Sequence, residues 1–147
     1  MAKIKLFTIG FTQKSAQSFF TKLKNVGVVK LIDIRLNNIS QLAGFAKRDD
    51  LIYFLQKICD CSYEHLPNWA PTKDILEAYK KKQIDWNEYE KRFSKLINER
   101  KIESLIKSDD LNNSCLLCSE PSPDKCHRRL IAEYLKEKFV NIEIIHL

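Results

Sequence analysis

Four short apolar runs, at residues 4–9, 28–35, 114–119 and 142–146, and a further strand-like segment at 62–66 alternate with longer segments whose apolar residues recur at helical spacing. Runs of that length suit strands, and parallel neighbours need connections of a dozen or more residues between them. The alternation restricts the chain to the α/β class. It predicts a mainly parallel sheet of about five strands joined by right-handed crossovers, with helices on both faces, as one three-layer domain over residues 1–147. Local signals place the helices. Ser15 caps a helix to about residue 25 that turns Ala16, Phe19, Phe20 and Leu23 to one face. A stripe of Leu51, Ile52, Leu55 and Ile58 marks a helix over residues 49–58, after a mostly polar loop at 36–48. Pro71-Thr72 opens a helix to about residue 82. Asp85, with Glu88 three positions on, caps a longer one that buries Trp86, Tyr89, Phe93, Leu96 and Ile97 and runs toward Lys107. Residues 125–138 turn Leu130, Ile131, Tyr134 and Leu135 inward.

Composition adds exclusions. Hydrophobic residues at 44% and charged residues at 30% are globular proportions, so wholesale disorder is excluded. With 3 glycines and 4 prolines, collagenous and turn-dense all-β chains are excluded too. No apolar run is long enough for a transmembrane helix and the N-terminus lacks a signal-peptide pattern, so the expectation is a cytoplasmic protein with no membrane partner. Lys and Arg number 25 against 19 Asp and Glu, a net charge of +6 that favours anionic partners, whether small molecules or nucleic acid. An odd count of 5 cysteines in a reducing compartment predicts no structural disulfide.

Ligands of parallel sheets bind beyond the carboxyl ends of the strands. There the first run supplies Thr8 and Gly10, the second Asp33 and Arg35, the third Tyr63 and His65. The fourth supplies Cys118, Glu120, Cys126, His127 and Arg128, in a Pro-containing loop that opens a helix. A helix start favours an anion, Arg35 and Arg128 add forked donors, and the same field would favour a thiolate at Cys126. His127 or His65 would move a proton, and Glu120 would orient a partner. Each has a plainer reading: Cys115 and Cys118 as small core residues, His127 as a carbonyl-bound loop anchor, Asp33 with Arg35 as a buried structural pair. Cys115-x-x-Cys118 followed by Cys126-His127 invites a zinc reading, but Cys115 and Cys118, three apart on a strand, point to opposite faces, and their Leu116-Leu117 spacer lacks the tight Gly-containing turn of a zinc knuckle, so zinc is not expected there. No Gly-rich phosphate loop, serine nucleophile elbow or acidic metal cluster is present, so neither a metal nor another cofactor is expected. The aromatic stripe of Trp86, Tyr89 and Phe93 reads as core rather than as a base-stacking platform.

Taken in order, Thr8-Ile9-Gly10, Asp33-Ile34-Arg35, Gly44-Phe45, Tyr63-x-His65-Leu66-Pro67 and Leu116-Leu117-Cys118-x-Glu120-x-x-Pro123-x-x-Cys126-His127-Arg128 resemble the DUF488 family over nearly the whole chain. The resemblance implies a three-layer α/β fold and names no reaction. The chain departs from the family's pattern in Phe11, where members often carry His or Tyr, and in a 36–48 loop whose only basic residues, Lys47 and Arg48, come at its far end. The expected function is a polar crevice at the strand ends that takes phosphate, a nucleotide or nucleic acid and offers an enzyme Cys, His and Arg. Two other readings stay open: a non-enzymatic nucleic-acid-binding module carried by lysines such as Lys80, Lys81 and Lys82, and a thiol-based redox sensor at Cys126.

Overall fold

A computed structural model describes residues 3–39, 44–120 and 122–147. Five strands, β1 (Ile4–Gly10), β2 (Lys30–Asp33), β3 (Ser62–His65), β4 (Ser114–Cys118) and β5 (Ile142–His146), form one parallel sheet in the order β3-β2-β4-β1-β5. Side chains alternate across it. Ile4 and Leu6 of β1, Ile32 of β2 and Leu116 and Cys118 of β4 face one layer. Phe7 and Ile9, Leu31, and Cys115 and Leu117 face the other. Cys115 and Cys118 therefore do lie on opposite faces. Helices α1 (Ala16–Val26) and α2 (Arg48–Phe54) cover the second face, whereas α4 (Trp86–Arg100) and α5 (His127–Lys138) cover the first, with α3 (Lys73–Lys80) packed on α4. A sheet sandwiched this way buries both faces of its central strands, which accounts for β4 being apolar at nearly every position and wholly buried.

The caps form largely where their residues indicate. Ser15, Thr72 and Asp85 each accept a hydrogen bond from a backbone N–H of the first turn of α1, α3 and α4. Gly27 ends α1 at φ 76°, and its N–H donates back to the Leu23 and Lys24 carbonyls. Three expectations are corrected. Ala16 is exposed on α1. After Phe54 the chain widens into a π turn, Leu55–Cys59; Leu51 and Leu55, one turn apart, are buried, while Ile52 and Ile58 face solvent. Helix α4 stops at Arg100 because Lys101 turns into the left-handed region (φ 49°), and 3-10 turns at Ile102–Leu105 and Ser108–Leu111 lead to β4. Residues 40–43 of the expected polar loop, and Pro121 of the fourth-strand motif, lie outside the described residues.

Candidate functional site

Strands β1 and β2 lead into α1 and α2 on one face, while β4, lying between them, leads into α5 on the other. Connections that part in this way open a crevice at the carboxyl end of the middle strand. The chain leaving Cys118 crosses directly over β1. The Glu120 carbonyl lies on Gly10, where an added Cβ would overlap it. Arg128, on the first turn of α5, reaches under this crossing with no exposed surface. Its Nε donates to Thr8 Oγ1 at 3.2 Å and its Nη1 to the Glu120 carbonyl, and Nη1 lies 3.8 Å from Cys118 Sγ. No carboxylate pairs with it among the described residues, and Nη2 has no partner. Thr8 is also fully buried, its hydroxyl 2.5 Å from His146 Nδ1. Gly10, Thr8 and Arg128 thus form the bed of the loop. Glu120 takes part through its backbone oxygen, and its side chain is exposed.

The end of β2 is held as tightly. Asp33 is fully buried, and its carboxylate accepts from Arg35 Nε and Nη2, both at 2.8 Å, and from the Arg35 backbone N–H. Tyr63 donates its hydroxyl to the same carboxylate at 2.5 Å and accepts from Asn38 Nδ2 at 2.9 Å. Burial and that carboxylate push the Tyr63 phenol well above its usual value. Two histidines from flanking elements hold the backbone of this strand end. His127 Nε2 lies 2.7 Å from the Ile34 carbonyl and His65 Nε2 lies 2.7 Å from that of Arg35. Carbonyls only accept, so in each ring Nε2 carries a proton. Burial drives the His127 pKa down to about 4, so its imidazole is neutral at neutral pH. The ring is thus held as one neutral tautomer, because the bond to Ile34 and the charge of Asp33 do not offset the cost of burying the imidazolium. Arg35 Nη1 is left buried and without a partner, and the guanidinium sits 5.4 Å from the centre of the Phe11 ring.

At the end of β4, Cys118 and Cys126 are joined as a disulfide, against the expectation of free thiols. Both side chains point into the α4–α5 layer, and the nine-residue turn from one to the other folds Cys126 back over the strand end as N-cap of α5. Cys126 accordingly does not titrate in this state. The free thiols are Cys59, Cys61 and Cys115, and burial raises the pKa of each. One imidazole nitrogen of His127 and the two disulfide sulfurs lie within 4.8 Å of one another.

These groups open onto a cleft of about 1180 Å³. Arg35, Cys118, Glu120, Cys126 and His127 line it; Thr8, Gly10, Asp33, Tyr63, His65 and Arg128 do not, and serve as its supports. The opposite wall is the α3–α4 hairpin, which contributes Lys73, Lys80, Lys82, Tyr79, Trp86 and Tyr89. Trp86 stacks on Tyr89 (4.8 Å, 20°) and Tyr79 meets Trp86 edge-on. The aromatic stripe is core, as its spacing suggested, yet its outer members also form cleft wall. Of the lysines in this wall, Lys80 and Lys82 stand out in the sequence as candidates for nucleic-acid contact, whereas Lys73 has no signal there beyond the abundance of lysine. Five basic residues line the cleft (Arg35, Lys73, Lys80, Lys82, Lys125) against three acidic ones (Glu77, Asp85, Glu120).

Residues 15–135 match the model of one protein family, described as Domain of unknown function DUF488. No curated protein and no solved structure matches the chain. That match spans most of the 147 residues, including the second, third and fourth strand ends, and the chain belongs to the DUF488 family.

Proposed function

With membership of that family as premise, we propose that the chain binds an anionic ligand, a phosphate or a phosphate-bearing molecule, in the cleft at the end of β4. The observation that carries this is Arg35. A guanidinium held by two bonds to Asp33 and lying against the Phe11 ring keeps one buried nitrogen, Nη1, unpartnered in a residue that lines the cleft. A buried donor left unmade is costly, and an anionic oxygen is the partner that satisfies it best. The basic excess of the lining, on the mobile stems of Lys73, Lys80 and Lys82, suits the same charge. An enzyme acting here would have the neutral Nδ1 of His127 as proton acceptor and, once reduced, the thiols of Cys118 and Cys126. The nucleic-acid reading merges with this one, because Lys80 and Lys82 stand on the cleft wall. A second reading, thiol redox sensing, is favoured by the Cys118–Cys126 bond facing the same cleft.

The test is thermal denaturation with inorganic phosphate, sulfate, nucleotides and short oligonucleotides, on wild type, Arg35→Gln and Lys80→Glu/Lys82→Glu. An anion at ~100 times its Kd should raise the wild-type Tm by roughly 5–10 °C, and both variants should lose most of that rise. Arg35→Gln leaves the Asp33 carboxylate uncompensated, so where it fails to fold the exposed lysine pair decides. The proposal falls if no anion shifts the wild type, or if the charge-reversed pair responds as the wild type does.

A further inference from the structure

We propose that Cys118, Cys126 and His127 form a zinc site when the disulfide is reduced. The inference is independent of anion binding, since it rests only on the sulfur–imidazole cluster. One imidazole nitrogen of His127 and the two sulfurs already lie within 4.8 Å of one another. In a tetrahedral zinc site, with Zn–S near ~2.3 Å and Zn–N near ~2.0 Å, neighbouring ligand atoms stand roughly 3.5 Å apart. The sulfurs must part, and their Cα atoms, 7.5 Å apart, leave room for an ion between them without drawing the backbone together.

The imidazole is set up for coordination. Its Nε2–H donates to the Ile34 carbonyl, which fixes the ring and leaves Nδ1 as the nitrogen free to ligate. A metal-bound histidine ordinarily holds its second nitrogen by such a bond to a carbonyl or carboxylate. The Phe93 ring, edge to face at 5.7 Å, packs the imidazole from the side. Two thiolates match the charge of a divalent cation, and two sulfurs with one imidazole select a borderline-soft one. Arg128 Nη1, 3.8 Å from Cys118 Sγ, supplies a donor beside one thiolate. All three ligands line the cleft, so the fourth position faces it and is open to water or a ligand.

Disulfide and metal are mutually exclusive on the same sulfurs. A dithiol reductant delivers two electrons and two protons to the Cys118–Cys126 bond, becomes a disulfide itself and leaves two thiols. Zn²⁺ then displaces the two thiol protons to solvent. The zinc not expected from Cys115, Cys118, Cys126 and His127 is thus restored for the last three, with Cys115 left on the opposite face of the sheet.

The experiment uses the full chain in phosphate-free buffer, either disulfide-bonded or reduced with a dithiol that is then removed anaerobically. Zn²⁺ is titrated against a chromophoric chelator, and Co²⁺ serves as the spectroscopic probe. Reduced protein should take one Zn²⁺ per chain and give a thiolate-to-cobalt charge-transfer band with tetrahedral visible bands, and disulfide-bonded protein should give neither. Cys126→Ser and His127→Gln should each weaken zinc at least about tenfold. Cys59→Ser/Cys61→Ser should retain it. The proposal is overturned if the reduced chain gives no thiolate–cobalt band, if the two redox forms bind alike, or if zinc follows Cys59 and Cys61. The comparison of redox forms needs no substitution, so it decides even where a variant unfolds.

Discussion

At Gly10 the structure leaves no space for a Cβ: it would overlap the backbone oxygen of Glu120 and stand 2.7 Å from Nη1 of Arg128. Neither neighbour can swing aside. One is main chain, and the other is fixed by Thr8 and by that same carbonyl. Gly10→Ala should therefore cost about 3 kcal/mol, the upper end for overpacking, measured as a lowered urea midpoint. Gly44 supplies the contrast. None of the described residues lies within 4 Å of its Cβ position and its φ is not in the left-handed region, so Gly44→Ala should stay within ~0.5 kcal/mol of wild type. Equal effects at the two positions would contradict the crossing of the fourth-strand loop over β1. Thr8, Gly10 and Arg128 were legible in the sequence as residues at strand ends. Their work under the loop was not, because it depends on which strand β4 lies beside.

Helix α4 begins the cleft wall, and its first turn hangs on Asp85, whose Oδ1 accepts from the Glu88 N–H at 2.9 Å. Asp85→Ala should destabilise the protein by ~1 kcal/mol in urea denaturation, and Thr72→Ala, whose bond at the start of α3 is 3.4 Å long, by less. A reversed order would mean that the α3 cap carries more of the hairpin than its geometry indicates. Such caps are readable from sequence because cap and turn lie within three or four residues. The five strands were readable for the same reason, since each run is local. The signals that failed are those set by distant contacts. The helical stripe breaks at the π turn after Phe54, where Ile58 faces solvent, and Lys101 leaves α4 without a glycine to announce it. The order β3-β2-β4-β1-β5 brings Arg35, Cys126 and His127 to one wall but places His65 and Thr8 behind it. The opposite wall depends on how the α3–α4 hairpin packs, which no periodicity encodes.

For the molecule as a whole, histidines, above all the buried His127, set how stability responds to acid. His127 falls from the ordinary histidine value of 6.5 to about 4, because burial penalises the imidazolium. The unfolded chain therefore binds a proton that the folded chain refuses throughout that interval. Stability from this group is complete above 6.5 and is lost as pH falls toward 4. His146 is lowered as well, chiefly by burial and then by Arg128, and adds a contribution of the same sign. Glu103, held below its usual value by the Tyr134 hydroxyl, loses its stabilising charge only under more acidic conditions, so mildly acidic pH isolates the histidines. In the disulfide-bonded protein, His127 should account for a loss of ~2 kcal/mol in unfolding free energy between about pH 7 and pH 5. His127→Gln can keep a donor for the Ile34 carbonyl while removing the titration. Its stability should change much less over that range, the remaining slope belonging to His146. Urea unfolding of both proteins at matched pH values checks this, and an unchanged slope in His127→Gln would place the acid sensitivity elsewhere in the fold.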